Sequence, residues 1–459
     1  MTTDDILFLD AHAQAALIAE RHLTAAELTD VQIDRIEAVD PALGALSHRC
    51  FEQARARAMS GTTGSAMAGV GWLAKDSLPY IGLPAACGSR MLADAPPARR
   101  QFALADRLDA AGLILLGKSA VPEFSLLPTT ESVLTGATAN PWHSGHSAGG
   151  SSGGAAAAVA AGMVPVAHAA DGGGSIRIPA ACCGVIGLKP SRGANVRARG
   201  FHLLEDILVG DAMLARSVRD VAWFARWLRP HPFALQAKAG PLRIIRCDRG
   251  MNGRPPAPEV SAAIDTTMRL CRDLGHDVQE IDRLPADLCA AADLFRTLWQ
   301  FLARDGVDHY RDAAGALPEN GFEPWAIGLA ARAEALDVAQ LVDCYAAIGR
   351  VVAASEQFFA EYDVLLGPVV ASPPPPLGTL AGTRAFDELL AEMFDYIAYT
   401  PLQNVTGAAS ISLPLGLSPD GLPIGSMLSG GIGSDETLLR LAAQIERAAP
   451  WNDGRRAPI

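Results

Sequence analysis

The chain has little positive charge and no clustered cysteines. Its 459 residues include 38 Lys and Arg against 50 Asp and Glu, so the net charge is −12. Binding to nucleic acid needs a basic surface, and this balance therefore argues against a nucleic-acid partner. The 8 cysteines form no Cys-X-X-Cys pair, which disfavours a zinc site and a disulfide framework. We expect reduced cysteines that serve mostly as small core residues.

The N-terminus and one long uncharged stretch argue against export and against a membrane. Residues 1–5 read Met-Thr-Thr-Asp-Asp, with acids where a signal peptide has Lys or Arg. Residues 147–170 contain no Asp, Glu, Lys or Arg, but Ala and Gly dominate and Pro165 interrupts them. A membrane-spanning helix needs about 20 strongly apolar residues. We therefore predict a cytoplasmic protein without a membrane partner, and a buried helix followed by a buried strand in this stretch.

Buried strands are predicted to alternate with amphipathic helices along the chain. Thr24 and Glu27 have the spacing of a capping box at a helix N-terminus. This alternation predicts an α/β fold whose sheet is covered by helices on both faces. We see no linker, and expect one domain over residues 1–459. The apolar runs that predict strands lie at residues 69–73, 113–118, 185–188, 212–215, 242–247, 276–281, 363–366 and 409–413.

Residues 171–175, Asp-Gly-Gly-Gly-Ser, have the composition of an anion-binding loop. Successive glycines let the backbone turn tightly and present several N–H groups on one side. Such a loop can hold the oxyanion of a tetrahedral intermediate, with the hydroxyl of Ser175 facing the same carbonyl. Taken alone, the segment also fits a glycine turn that a serine caps.

A second glycine-rich segment and an upstream lysine supply further groups. In residues 149–154, Gly-Gly-Ser-Ser-Gly-Gly, alanines follow where a phosphate loop requires lysine, so a nucleotide site is not predicted. The small residues that follow allow close helix packing, which would bring Ser151 and Ser152 near the anion-binding loop. Lys75 ends an apolar run, and burial there would lower its pKa and let it accept a proton. An ion pair with Asp76 would oppose that shift.

Histidines offer a rival general base. His168 precedes Asp171 by three residues, and His143 and His146 form a His-X-X-His pair. A Ser-His-Asp hydrolase is open on these residues alone. However, Ser175 lacks a Gly-X-Ser-X-Gly elbow, and two histidines without a third ligand are a weak metal signal. We expect the histidines to be structural or pocket-lining, with no metal and no cofactor.

Together, the glycine-rich segments resemble the signature of the amidase signature family. Gly-Gly-Ser-Ser-Gly-Gly is followed by Gly-Gly-Ser-Ile-Arg-Ile-Pro, and Ser175 comes 24 residues after Ser151. Within the family, the chain is most similar to bacterial amidases related to 6-aminohexanoate cyclic dimer hydrolase. Further segments that agree with the family are residues 140–142, 187–190 and 404–425.

The resemblance implies a Ser–cis-Ser–Lys triad. Ser175 would be the nucleophile, Ser151 the bridging serine after a cis peptide bond, and Lys75 the neutral base. It also implies a large mixed sheet in an α/β/α sandwich, with the core motif at about residues 70–220. Family members often form homodimers, so a homodimer is the assembly that the resemblance suggests.

The resemblance assigns further roles around the nucleophile. Family members often carry threonine where this chain has Ala170 and Gly172, and the smaller residues would widen the floor of the site. The expected oxyanion hole consists of the amides of Gly172, Gly173, Gly174 and Ser175. Supporting roles are expected for Ser152, Asp171 and Arg177.

The expected substrate pocket is mostly apolar, which favours a hydrophobic or aromatic substrate. By resemblance, helices between about residues 285 and 400 would complete it. The loop expected to form its wall contains Phe124, Ser125, Leu126 and Leu127.

These residues predict hydrolysis of a small carboxylic amide through an acyl-enzyme. The same groups could cleave an aryl ester or a carbamate (urethane). Two alternatives stay open. One is a glutamine-hydrolysing amidotransferase subunit, although the net charge of −12 disfavours a tRNA-linked complex. The other is a non-catalytic binding protein on the same fold.

Overall fold

Helices and strands alternate along the chain in the computed structural model. It describes residues 2–61, 65–200, 202–230, 237–314, 321–451 and 456–458. The helices are α1 Thr3–Phe8, α2 Ala11–Ala19, α3 Ala25–Leu43, α4 Phe51–Met59, α5 Ala103–Ala110, α6 Gly153–Ala160, α7 Arg177–Cys183, α8 Leu203–Leu208, α9 Val218–Trp227, α10 Pro258–Asp273, α11 Ala286–Cys289, α12 Ala291–Ala314, α13 Pro324–Glu334, α14 Val338–Glu361, α15 Phe386–Tyr396, α16 Pro401–Thr406 and α17 Asp435–Ala448.

The strands are short, and most belong to two sheets. They are β1 Leu46–Arg49, β2 Gly71–Lys75, β3 Ile114–Ser119, β4 Glu131–Ser132, β5 Gly136–Ala137, β6 Ala139–Asn140, β7 His143–Ser147, β8 Val166–Asp171, β9 Gly187–Lys189, β10 Gly210–Ala215, β11 Arg243–Arg246, β12 Asp277–Glu280, β13 Val364–Pro368, β14 Ser410–Leu417 and β15 Pro423–Ser429.

The two main sheets join edge to edge. One has five strands in the order β1-β3-β2-β8-β10, and the other has six in the order β12-β11-β13-β15-β14-β9. An antiparallel bridge between Ile186 and Ala215 connects β10 to the segment that enters β9. Both sheets mix parallel and antiparallel pairs. The predicted mixed α/β sheet is therefore confirmed.

Alternate residues of the strands face two different cores, as the period of a strand requires. On β2, Trp72 and Ala74 face a core shared with α5, α9 and α17, whereas Leu73 faces a core shared with α3, α4 and α6. On β11, Ile244 faces the first core, and Ile245 faces a third core built with α12 to α16. Helices thus cover both faces, and the third core lies beside the candidate site.

The local predictions agree with these elements in detail. Thr24 caps α3. Its hydroxyl accepts a hydrogen bond from the Glu27 amide at 3.1 Å, and the Glu27 carboxylate accepts one from the Thr24 amide. The uncharged stretch forms α6 and β8, and every residue of both is buried. The sequence patterns missed β15, whose segment begins at Pro423 and contains Ser426 and Ser429, since such residues weaken a strand pattern.

One helix within the described ranges has the length and apolar composition needed to cross a membrane. It is α14, Val338–Glu361. Core helices of soluble proteins meet the same two criteria. Two of its large apolar side chains are exposed, Val338 and Val342.

Candidate active site

The site lies where two neighbouring parallel strands end. β2 and β8 pair in parallel, so their carboxyl ends, Lys75 and Asp171, share one edge of the sheet. Functional groups collect at such edges because the chain leaves the sheet there in loops. The two glycine-rich segments flank β8, one before α6 and one before α7.

Lys75 is buried and contacts Ser151. Its Nζ lies 2.8 Å from Ser151 Oγ and donates to the carbonyl of Ala170 at 3.2 Å. The side chain is 1% exposed. Burial, and after it the positive charge of Arg199, lowers the pKa of Lys75 to about 7. A large fraction of this lysine is therefore neutral near neutral pH and able to accept a proton.

Asp76 turns away from Lys75. One of its carboxylate oxygens lies 3.7 Å from Nζ of Lys118 on the neighbouring strand β3, and both side chains are buried. The ion pair that would have kept Lys75 charged is thus made with a different lysine, because successive side chains of a strand point to opposite faces.

Ser151 follows a cis peptide bond from Gly150. A Cβ on Gly150 would lie 2.2 Å from the carbonyl oxygen of Thr129, so only glycine fits there. Ser152, expected to have a supporting role, is fully buried at the start of α6. Its hydroxyl lies 3.4 Å from both the amide and the carbonyl of Ala170. Ser152 therefore links the start of α6 to the end of β8.

Ser175 borders the same cavity as Lys75 and Ser151. It lies in the turn between β8 and α7 and is 7% exposed. The three residues of the expected triad thus border one cavity.

The amides of the turn do not all point the same way. The amide of Gly174 donates to Asp171 at 2.7 Å, so it differs from the expectation that it faces an oxyanion. Among the described residues, no group accepts a hydrogen bond from the amides of Gly172, Gly173 or Ser175. These three amides are the free donors of the turn.

Asp171 and Arg177 form a buried ion pair beneath the turn. The Arg177 guanidinium donates to both carboxylate oxygens, from Nε at 2.8 Å and from Nη2 at 3.0 Å. Burial alone would raise the pKa of Asp171, but the charge of Arg177 and these hydrogen bonds hold it well below its usual range. The remaining guanidinium donors reach the side chains of Gln403 at 2.8 Å and Asn404 at 2.7 Å.

α16 and the residue before it complete this support. Thr400 Oγ1 donates to the carbonyl of Gly173 at 2.7 Å, and the side-chain amide of Asn404 donates to the Asp171 carbonyl at 2.9 Å. Sequence reasoning gave no role to Thr400 or Gln403, which lie more than 200 residues from the turn. Asn404 lies in the segment 404–425, whose agreement with the family was the one sequence feature that pointed to it.

The rival histidines lie away from the site. His168 is buried on β8, with Nε2 3.4 Å from Asp211. His143 and His146 are on the hairpin strand β7, their Nδ1 atoms 3.0 Å apart. None of the three borders the catalytic cavity, which leaves the structural one of the two roles expected for them. Across the described ranges, no group of three or more His, Cys, Asp and Glu side chains is arranged to hold a metal ion.

The cavity in front of the triad has an empty volume of about 1090 Å³, which includes the part open to solvent. Phe124, Ser125 and Leu126 line it as expected, and α12 lines it with residues such as Trp299. Leu127 lies outside this cavity and borders a narrower crevice beside it. The predicted wall loop and the predicted helical region therefore both reach the site.

The cavity is more polar than the loop sequence suggested. Arg199 pairs with Glu205 at 3.0 Å, and His202 Nε2 lies 3.0 Å from Asp305 across the gap to α12. Sequence reasoning missed these residues because isolated charged side chains resemble an ordinary surface. They place charges of both signs near the mouth.

Gly172 does not widen the floor of the site. A Cβ there would meet the ring of Trp299 and a methyl of Val209, both at 3.3 Å. These side chains take up the space that a threonine would occupy in other members of the family. Ala170 borders the catalytic cavity directly.

Comparisons with known proteins agree with this site. The sequence profile of the amidase family matches residues 27–439. The chain belongs to this family and is an amidase, a hydrolase that acts on amides.

Relatives match along nearly the whole chain. AmiC of Mycobacterium tuberculosis is 38% identical over 460 residues, which cover 96% of this chain and 95% of AmiC. The 6-aminohexanoate-cyclic-dimer hydrolase of Paenarthrobacter ureafaciens is 32% identical over 478 residues, covering 97% and 96%. A solved structure of 6-aminohexanoate cyclic dimer hydrolase superposes with a TM-score of 0.91 at 31% identity, covering 98% and 99%. The predicted likeness to this branch of the family is confirmed.

Proposed function

We propose that this amidase cleaves a small carboxylic amide through an acyl-enzyme formed on Ser175. The observation that carries the proposal is the 2.8 Å contact between Lys75 Nζ and Ser151 Oγ, in a cavity that Ser175 also borders. A buried amine with a pKa of about 7 can take a proton from a hydroxyl that is being activated. No histidine and no metal is needed for this step.

In the first half of the reaction, Ser175 Oγ attacks the carbonyl carbon. Its proton passes to Ser151 Oγ, while the Ser151 proton passes to Lys75 Nζ. When the tetrahedral intermediate collapses, the carbon–nitrogen bond breaks and the leaving nitrogen takes a proton from Ser151, which recovers one from Lys75. In the second half, water repeats the attack and releases a carboxylic acid and free Ser175.

The free amides of Gly172, Gly173 and Ser175 would hold the oxyanion. Donors fixed before the reaction stabilise the charge that develops in the transition state without further reorganisation. The ion pair of Asp171 and Arg177 would fix them indirectly, because the Asp171 carboxylate accepts the Gly174 amide and so sets the path of the turn.

The proposed substrates are linear or cyclic amides of low molecular mass, with aryl esters and carbamates as related carbonyl compounds. The size of the cavity and the likeness to 6-aminohexanoate-cyclic-dimer hydrolase support this class. Charges of both signs at the mouth fit substrates whose distant end is polar.

The test compares wild type with Ser175→Ala on an aryl anilide, an aliphatic amide, a linear aminohexanoate oligomer, an aryl carbamate and glutamine. We expect hydrolysis of at least one amide or of the carbamate, abolished in the variant while its melting temperature stays unchanged. Turnover of glutamine alone would assign an amidotransferase subunit instead. Full activity of Ser175→Ala on every hydrolysed compound would refute the proposal.

A further inference from the structure

A second cavity lies beside the catalytic one. Its empty volume is about 700 Å³, which includes the part open to solvent, against about 1090 Å³ for the catalytic cavity. Val209 borders both cavities, whereas Lys75, Ser151 and Ser175 border the catalytic one alone. The lining of the second cavity comes mostly from β9 and the segment after it, from α8 and from the start of β10. The proposed chemistry therefore makes no use of this space.

Two basic side chains that border the second cavity have no acidic partner within the described ranges. Lys189 is 2% exposed, and its Nζ donates to the carbonyl of Pro190 at 2.8 Å. Arg192 donates to carbonyls as well, from Nε to Ile207 at 2.9 Å and from Nη2 to residues 404 and 405 at 3.3 and 2.8 Å. A buried positive charge that faces only carbonyls keeps much of its desolvation cost.

The acids that border the same cavity are already paired. Asp206 lies 3.3 Å from Nε of Arg197. Asp211 lies 3.4 Å from Nε2 of His168 and 3.8 Å from Nε of Arg197. These groups balance one another, so they leave the charges of Lys189 and Arg192 uncompensated.

Donors remain free on both basic side chains. An ammonium has three N–H groups, and a single acceptor contacts Nζ of Lys189 among the described residues. Nη1 of Arg192 has no acceptor there, although Nε and Nη2 do. A ligand that carries negative oxygens would satisfy these donors and supply the missing charge, since a guanidinium matches carboxylate and phosphate geometry.

We propose that the second cavity is a binding site for a small oxyanion, held by the Lys189 ammonium and the Arg192 guanidinium. Two sources have this chemistry, namely the carboxylate that amide hydrolysis releases and inorganic phosphate. Arg192 also donates to the end of α16, whose Asn404 supports Asp171. A bound anion would thus fix a side chain that holds the support of the catalytic turn.

Sulfate is a suitable probe because it keeps its double charge from acid to mildly alkaline pH. The whole protein would be titrated with sodium sulfate in a calorimeter at a pH of about 6, with sodium chloride added to keep the ionic strength constant. We expect saturable binding at one site. Heat that grows without saturation would mean a general salt effect and would overturn the proposal.

Matched variants locate the bound anion. Lys189→Met removes the ammonium but keeps most of the buried chain, and it should weaken sulfate binding at least about tenfold, the scale of a hydrogen bond to a charged group. Arg199→Gln neutralises an arginine of the catalytic cavity instead and should bind sulfate as wild type does. Equal binding by Lys189→Met and wild type, or a loss confined to Arg199→Gln, would overturn the assignment.

The pH dependence tests Lys189 in the unaltered protein. Burial, and after it the charge of Arg177, lowers the pKa of Lys189 to about 7, with Arg192 acting in the same direction and Asp171 and Asp435 opposing them. Because the anion binds the charged form, the sulfate affinity of wild type should fall at least about tenfold between pH of about 6 and about 8.5. A constant affinity, or one that rises with pH, would contradict the role of Lys189.

Competition distinguishes the two sources of the anion. Butyrate and phosphate would each be added to the sulfate titration of wild type at constant ionic strength. Stronger displacement by butyrate would point to the product of hydrolysis, and stronger displacement by phosphate would point to the inorganic ion. Failure of both to displace sulfate would refute the proposed ligand class.

Discussion

Two regions of the catalytic cavity are built in opposite ways. The floor is the turn at residues 172–175 with Asp171 and Arg177 beneath it, and the mouth consists of Arg199, His202, Glu205 and Asp305. In the floor, Asp171 and Arg177 are 0% exposed, and the guanidinium reaches partners in one distant segment of the chain, residues 400–404. At the mouth, the side chains of Arg199 and Asp305 are 37% and 65% exposed, and their contacts with Glu205 and His202 lie close to water. Buried polar groups must all be paired to be tolerated, whereas exposed pairs contribute little and tolerate change.

This difference separates chemistry from specificity. In the proposed mechanism, the floor holds the atoms that acyl transfer needs, namely a nucleophile, a proton path and free amides. The mouth needs only to accommodate the distant part of the substrates that the enzyme prefers. Substitutions in the floor should therefore reduce every reaction of the enzyme, and substitutions at the mouth should change which substrates are preferred.

The largest expected effect is the loss of the proton path. Lys75→Met should lower kcat/KM by about 10²–10⁴ on all substrates, because general-base catalysis contributes on this scale. Steady-state kinetics on one amide and one aryl ester measures it.

Lys118→Met is the matched control for that change. It also removes a buried lysine at the same edge of the sheet, but Lys118 contacts Asp76 and not Ser151. Its kcat/KM per folded molecule should fall much less. An equal loss in both variants would mean that burial of a charge, and not proton transfer, explains the effect.

The next largest effect concerns stability. Arg177→Met leaves Asp171 as an unpaired buried carboxylate, so the free energy of unfolding should fall by about 3–5 kcal/mol. Arg384→Met removes one half of an exposed pair with Glu392 and should change it very little. Urea denaturation of the two variants beside wild type measures this difference. Similar losses in both would contradict the distinction between floor and surface.

A smaller effect should follow from loosening the turn. Thr400→Val keeps the shape of the side chain but removes the hydrogen bond to the Gly173 carbonyl. Such a bond contributes about 1 kcal/mol, so kcat should fall about fivefold with little change in KM. Thr406→Val is the matched control. It removes a hydrogen bond to the Leu402 carbonyl within α16 and should leave kcat near its original value. A fall in KM as large as that in kcat, or the same loss in both variants, would speak against this role.

The smallest expected effect is a shift in the pH dependence of kcat/KM, caused by the influence of Arg199 at the mouth on Lys75. Lys75 acts as a base only when neutral, so kcat/KM should be low in acid, rise through a pH of about 7 and level off above it. Arg199 helps to lower the pKa of Lys75, so Arg199→Gln should raise that pKa and move the rise to higher pH. Arg384→Gln, at a residue that does not border the cavity, should not move it. A shift to lower pH, or none, would exclude this influence of Arg199.

The sequence predicted the floor far better than the mouth. Ser151, Ser175, Asp171 and Arg177 stood out because they lie in two glycine-rich segments, and Lys75 because it ends an apolar run. The resemblance to the family then suggested a role for each of them. The alternation of strands and helices likewise predicted the sheet and the burial of the stretch that forms α6 and β8. These features depend on local pattern, which a single sequence carries.

The rest depends on contacts between distant segments. Thr400 and Gln403 reach the floor from α16 and its approach, and no motif marks them. The charges at the mouth come from α8, its flanking loop and α12, where each looks like an ordinary surface residue. The direction of the Gly174 amide depends on how Asp171 accepts it, which composition alone does not decide.

Trapping of the acyl-enzyme tests the central claim most directly. Wild type would be mixed with an aryl ester that acylates quickly, quenched in acid during the initial burst, digested and examined by mass spectrometry. We expect the acyl mass on the peptide that carries Ser175, none in Ser175→Ala, and slow accumulation in Lys75→Met. Full hydrolysis of the ester with no adduct on Ser175, or an adduct on another residue, would contradict the proposed triad.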